Sequence, residues 1–316
     1  MRLLREEFVN SKARSSDWIV DAEDRLVRRF MSGSGWGYTQ HSELCAESTA
    51  LACLALRAQG LQGHEASSAV RAAAGWLASI QQPSGAVGIS EDVPSPTWPT
   101  PYAILAWAGL KERSESVKRA CDWLLLLKGT TLENVENVVG HDTTIAGWPW
   151  NAGTHSWVEP TAMAVLALKR HGLNGHYRVR EGVRLIADRA ISGGGWNYGN
   201  NAVYGSTLRP QPASTGMALA ALSGVYGPNS IIASACDYLE NNISGLRAPQ
   251  SLCWALLGLT AWGRRPAATG HLLEASYERV LRRGEKTPQL SYLLLAAGRQ
   301  SPGLLGIQSS EHRGNH

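Results

Sequence analysis

The residues best suited to chemistry lie between His141 and Gly172, in HDTTIAGWPWNAGTHSWVEPTAMAVLALKRHG. The first half is a loop punctuated by Gly147, Pro149 and Gly153. The second half reads as a helix: Pro160 suits a first helical turn, and Thr161 to Arg170 supplies strong helix formers. Lys169, Arg170 and His171 favour a helix C-terminus, and Gly172 can stop it. One carboxyl, Glu159, therefore stands at a helix start beside Trp148, Trp150 and Trp157. Aromatic walls desolvate a carboxyl and raise its pKa, so it can stay protonated near neutrality and act as a general acid. The helix N-terminus works the other way by favouring the charged form. The alternative is a carboxylate that only caps its own helix. Asp142, beside His141, is a second acid candidate, with an Asx-type turn as its alternative reading. Glu47, at the start of another helix, is a third, and Glu91-Asp92 reads as a solvated pair.

The aromatic balance is lopsided, with 12 Trp and 9 Tyr against 2 Phe. Trp and Tyr suit surfaces that are part wet and part apolar, such as pocket walls. Ten aromatic and imidazole side chains are candidates for contacting a ligand: Trp36, Tyr38, His41, Trp98, Trp148, Trp150, His155, Trp157, Trp196 and Tyr198. Their faces could stabilise a carbocation or stack on sugar rings. Packing that anchors the loops is the plainer alternative.

The elements that position these residues repeat. Six times a charged, amphipathic helical segment is followed by a loop and then by a helix that is small and apolar nearly all round, such as ALACLALRA or AMAVLAL. A helix apolar on every face is buried between neighbours. Six such helices inside six amphipathic ones make an all-α ring, a single-domain (α/α)6 toroid. Aligning the inner helices on their first turns puts Glu47, Thr100, Glu159, Ala213, Gln250 and Thr287 at one position. The inner-helix N-termini then converge with the long loops at one end. The expected layout is an N-terminal lead over 1–15, the toroid over 16–299 and a flexible tail over 300–316.

Composition narrows the partners. With 44% hydrophobic and 18% charged residues, the chain of 316 residues holds a sizeable core. A net charge of +4 without a Lys/Arg block gives no case for nucleic acid. The five cysteines are scattered without a CxxC pair, which supports neither a disulfide framework nor a zinc ribbon. The first residues lack an apolar signal core and no run of about 18 apolar residues occurs, so the expected location is the cytoplasm. No DDxxD-like run supports magnesium-assisted chemistry, and no metal or other cofactor is expected. Nothing specifies an oligomeric state.

GSGWGY, AGWPWN and GGGWNYG after the outer helices, and AAGWLASIQQPSG with Val87 where a Trp would end the motif, resemble the repeats of the prenyltransferase and squalene-cyclase family. The resemblance spans about residues 16 to 299 and implies the six-by-six toroid with degenerate Gln-Trp-like repeats. Class II terpene cyclases carry an Asp-x-Asp-Asp-Thr-Ala acid motif at an inner-helix start. The matching stretch here is Trp157-Val158-Glu159-Pro160-Thr161-Ala162, with Glu159 on the proton-donating position and Trp157 and Pro160 in place of the flanking acids. Ser42-Glu43-Leu44-Cys45-Ala46-Glu47 more faintly resembles the Asp-Cys-Thr-Ala-Glu motif of oxidosqualene cyclases. The zinc-binding Asp-x-Cys of protein prenyltransferases is matched only by Ser251-Leu252-Cys253, and Ser291 stands where the distant His is needed, which argues against zinc. The resemblance implies an isomerase-type enzyme: acid-initiated cyclisation or isomerisation of an isoprenoid, a small hydrophobic ligand, with peripheral membrane contact for lipid access. Glu159 would be the acid, Asp142 and Glu47 further carboxyls, and the aromatic set a cation-stabilising wall. The residues alone leave two alternatives open: a glycan-processing or glycan-binding toroid, or a non-catalytic member that binds a lipid or peptide.

Overall fold

The structure is a computed structural model that describes residues 17–31, 33–61, 63–133 and 138–307. The lead expected over 1–15 lies outside the described residues, as does the tail from 308 onward. Outer and inner helices alternate along the chain. They are α1 (17–28), α2 (Ala46–Ala58), α3 (Gly63–Ser79), α4 (Thr100–Trp107), α5 (Ser114–Leu126), α6 (Val158–Arg170), α7 (Tyr177–Asp188), α8 (Pro212–Leu222), α9 (Ser230–Asn242), α10 (Pro249–Ala261), α11 (Thr269–Arg282) and α12 (Thr287–Ala297). The even-numbered helices pack each on the next, and α12 returns against α2. They form a closed ring of six, and the odd-numbered helices wrap it. The chain is thus an all-α toroid, with one two-residue hairpin, Ala202–Val203 against Ser206–Thr207, in a loop. No helix among the described residues is long and apolar enough to cross a membrane.

A repeated latch joins the two rings. The backbone N–H of Trp36, Val87, Trp148 and Trp196 donates to the hydroxyl of Thr49, Thr100, Thr161 and Thr215, at 3.0, 2.9, 3.0 and 3.0 Å. The indole N–H of each Trp then donates to the last turn of the preceding outer helix: Trp36 to Leu26 O at 2.7 Å, Trp148 to Leu124 O at 2.7 Å and Trp196 to Ile186 O at 2.6 Å. Loop, inner helix and outer helix are tied through one side chain. The Gly before each Trp is required by closeness, since a Cβ on Gly35, Gly147 or Gly195 would lie 2.8, 2.5 or 2.8 Å from the threonine hydroxyl. This explains the Gly-x-Trp pattern as packing.

The latch also corrects the repeat register. Thr100 is the equivalent of Thr49 and Thr161, so the residue matching Glu47 and Glu159 in the second repeat is Trp98, in the turn just before α4, not Thr100. At the other end of the ring the inner helices present carbonyls, and side chains from neighbouring elements satisfy them. Arg57 donates to Ala106 O and Ala108 O at 2.8 and 2.5 Å, Lys169 to Ala221 O and Ser223 O at 2.9 and 2.5 Å, and Arg265 to Ala296 O at 2.7 Å. Cations there also meet the negative ends of the helix dipoles. Helices α8 and α10 touch backbone to backbone, where a Cβ on Gly258 would sit 2.7 Å from Gly216 O. The tail expected to be flexible from 300 onward instead begins with a short helix, α13 (Ser301–Leu304), and buries Ser301, Leu304, Leu305 and Ile307 against the core.

Thr161→Val keeps the shape but strands the buried N–H of Trp148. The expected loss is about 1–3 kcal/mol of unfolding free energy, read by denaturant titration, whereas Tyr204→Ser on the exposed hairpin should change stability by no more than about 0.5 kcal/mol.

Candidate functional site

In the four repeats that carry the latch, one side chain stands at the loop end two residues before the threonine. On α2 and α6 that residue is glutamate. Glu47 and Glu159 sit in the first helical turn, withdrawn from solvent, and among the described residues no cation pairs with either. Burial pushes the Glu47 carboxyl up to about 7. Burial also raises Glu159, opposed by the Ser214 hydroxyl of α8, which donates to its Oε1 at 2.7 Å. Desolvation outweighs the helix N-terminus at both positions.

One turn deeper the interior turns aromatic. Tyr102 of α4 and Tyr292 of α12 are buried and act on each other electrostatically, and the Tyr292 hydroxyl has no hydrogen-bond partner among the described residues. Both phenols are held well above their ordinary pKa by burial, with Glu47 and Cys253 adding to the effect on each and Glu159 on Tyr102. Two carboxyls and two phenols from α2, α4, α6 and α12 therefore share one interior with the Cys253 thiol of α10, all favoured as neutral acids. The Trp254 indole N–H, also on α10, is buried without a hydrogen-bond partner among the described residues.

The expected aromatic wall divides into two groups. Trp98 meets Tyr102 edge-on at 6.0 Å and Trp150 at 5.7 Å, so an aromatic run leads from the exposed loop to the interior. Trp157 is the N-cap residue of α6 and 38% exposed, with Gly199 against its ring. Tyr38 and Tyr198 are about half exposed at the same end. Lys286 lies 5.1 Å over the Tyr38 ring, and the Tyr198 carbonyl accepts from Val158 N at 2.8 Å. His41 and His155 are exposed, and His155 Nδ1 is 3.1 Å from Thr130 O. By contrast, Trp36, Trp148 and Trp196 are buried between helices with both N–H groups spent in the latch. They build the wall's scaffold rather than its inner face.

Asp142 also lies apart. Its carboxylate accepts from Thr144 N and Thr144 Oγ at 2.8 and 2.6 Å and faces Arg184 at 3.7 Å on the surface. The Thr144 hydrogen bonds hold its pKa below the ordinary value, so it is the Asx turn of the alternative reading and not a proton donor. His141 beside it is buried and driven down to about 4. Sequence reasoning passes over Tyr102, Tyr292, Trp254 and Ser214. The available signal is a hydroxyl or indole N–H on a helix that offers no polar face. Among the described residues no group of three or more His, Cys, Asp or Glu is placed to hold a metal ion.

No protein-family model and no curated protein matches the chain. Solved structures do. A protein from Actinoplanes is similar at 20% identity with a TM-score of 0.56, over 87% of this chain and 82% of that one. The type II terpene cyclase MstE from Scytonema is similar at 15% identity with a TM-score of 0.55, over 83% and 78%. A variant of it in complex with geranylgeranyl dihydroxybenzoate, its substrate, matches at 16% and 0.55, over 87% and 81%. The likeness shows the fold: a toroid of the terpene-cyclase type.

The Glu47 carboxyl titrates near 7 in the folded protein against about 4.5 for the ordinary group. The folded state thus holds the extra proton between these values, and its contribution to stability falls as pH rises from about 4.5 through 7. Glu47→Gln should remove part of that decline, so that the variant gains on the parent as pH rises. Parallel denaturation curves at pH 4.5 and 8 check this; a difference between the two proteins that is the same at both would contradict it.

Proposed function

We propose that this protein is a terpene-cyclase-like enzyme that starts the cyclisation or isomerisation of an isoprenoid by protonating it in the ring interior. The observation that carries the reading is the pair of half-buried carboxyls, Glu47 and Glu159, which have no cation partner among the described residues and act on Tyr102, itself in contact with Trp98. Burial shifts both carboxyls toward the neutral form, and a neutral carboxyl can hand its proton to an alkene or epoxide. The cation so formed needs π faces and no nucleophilic water. Glu159 is the donor in this reading, because Ser214 fixes Oε1 and so orients the carboxyl. Trp98, Trp150 and Tyr102 supply the aromatic faces. Loss of a proton from the product cation ends the reaction. The substrate of MstE, a geranylgeranyl compound, supports an isoprenoid as the ligand class.

The loop end is also where apolar side chains meet solvent. Tyr38, Val93, Leu126, Leu132, Trp150, Trp157, Tyr198 and Tyr204 are exposed in loops or helix ends on that side. A ring of Trp and Tyr suits the interface of a bilayer. It supports entry of a lipid substrate from a membrane surface through the same end.

Incubation with geranylgeranyl and squalene-type isoprenoids, with product analysis by mass spectrometry, tests the reading. Glu159→Gln should lower product formation at least about 100-fold, the smaller end of a general acid's contribution, while melting cooperatively. Product formation that survives Glu159→Gln and Glu47→Gln alike would exclude both carboxyls as the acid. In vesicle co-sedimentation, Trp150→Ser with Tyr204→Ser should lower the bound fraction several-fold; equal binding would remove the membrane route.

A further inference from the structure

A second cavity, of about 210 Å³, opens among the loops between α5 and α6 and the end of α7. Glu47, Glu159, Tyr102, Tyr292 and Cys253 are not among the residues that line it. Its volume is that of about seven waters. Leu132, Val139 and Trp157 make an apolar side, and Thr130, His141 and Arg189 the polar side. Arg189 is 6% exposed, and among the described residues that line the cavity it is the one fully charged residue type and none is a carboxylate.

The buried guanidinium is incompletely used. Its Nη1 donates to Ser156 O and Gly199 O at 2.7 and 3.0 Å and its Nε is sealed off from solvent, while its Nη2 makes no hydrogen bond among the described residues. The adjacent Asp188 spends its Oδ2 on the Asp142 amide at 3.0 Å, and no ion pair joins it to Arg189 among the described residues. Burial lowers the Arg189 pKa to about 10 against the attraction of the Asp188 carboxylate, so the cation persists at neutral pH. The buried His141 ring across the cavity is neutral there and adds no second charge. A buried charge is tolerated when it is paired. The cavity wall thus holds a cation whose attracting carboxylate, Asp188, stands outside the lining, so that among the described residues no anion faces it inside the cavity, beside an apolar face and an indole.

We propose that this cavity is a binding site for a small oxyanion, carboxylate or phosphate, carried on a compact apolar or aromatic body, with Arg189 as its counter-ion and Leu132, Val139 and Trp157 around the body. The site is independent of the isoprenoid reading, and its test does not depend on catalysis.

Because Arg189 also holds two loop carbonyls, the test changes the wall instead. Leu132 is 50% exposed, so replacing it spares the core. Titration calorimetry of the full chain uses benzoate, phenyl phosphate and the neutral benzamide against wild type, Leu132→Asp and Leu132→Asn. Wild type should bind benzoate or phenyl phosphate at least tenfold more tightly than benzamide, and the tighter of the two identifies the oxyanion. Leu132→Asp should weaken that anion at least tenfold by like-charge repulsion, and Leu132→Asn by less than threefold. Equal binding of benzamide, failure of both anions to bind, or an unchanged affinity in Leu132→Asp would each overturn the proposal.

Discussion

Four buried threonine hydroxyls hold the two rings of this protein in register. Each accepts the backbone N–H that opens a loop's descent onto an inner helix, at 2.9 to 3.0 Å. In three of the four repeats a tryptophan at that point also reaches the outer helix through its indole N–H. The bond fixes where each inner helix begins relative to its loop, and so which residue stands two places before the threonine. Without that register Glu47 and Glu159 would not occupy matching positions on α2 and α6, and no charge-poor interior would form between them. An unmade hydrogen bond in such a place costs more than a made one gains, which is why Gly precedes each Trp and why no larger residue fits.

The interior so formed has a single electrostatic character. Carboxyl, phenol and thiol groups meet there, no cation pairs with either carboxyl among the described residues, and burial favours the protonated form of all of them, against a weaker pull of Arg265 on Cys253. The cations lie elsewhere. Arg57, Lys169 and Arg265 cap carbonyls at the far end of the ring, and Arg189 lines a separate cavity among the loops. Segregating acids at the helix N-termini from bases at the C-termini also satisfies the helix dipoles at the far end. At the near end it sets dipole against desolvation, and desolvation wins.

Much of this is visible in the residues. The recurring apolar helix and the Gly-x-Trp loop specify the toroid, because both follow from local spacing. Glu159 stands out through its aromatic neighbours. The register of α4 does not follow from spacing: aligning Pro101 with Pro160 looks natural, yet proline is accepted at several first-turn positions, while the threonine hydroxyl has to meet one particular amide. Trp36, Trp148 and Trp196 read the same as Trp98 and Trp150, since a loop tryptophan's sequence context does not say whether its ring turns between helices or toward the interior. Tyr102 and Tyr292 meet only because the ring closes on both sides of α2, a long-range consequence that no window of sequence contains. Asp142 reads as an acid beside a histidine, but two bonds from Thr144 make it a turn.

Burial in the ring interior holds a proton on Glu47 up to about pH 7 and shifts Glu159 in the same direction. Infrared difference spectroscopy of wild type against the Glu47→Gln, Glu159→Gln double variant measures this directly at pH 6. The account predicts a carbonyl stretch of protonated carboxyl groups in wild type that is absent from the double variant and fades in wild type as pH rises past about 7. A difference spectrum showing only carboxylate bands at pH 6 would contradict it.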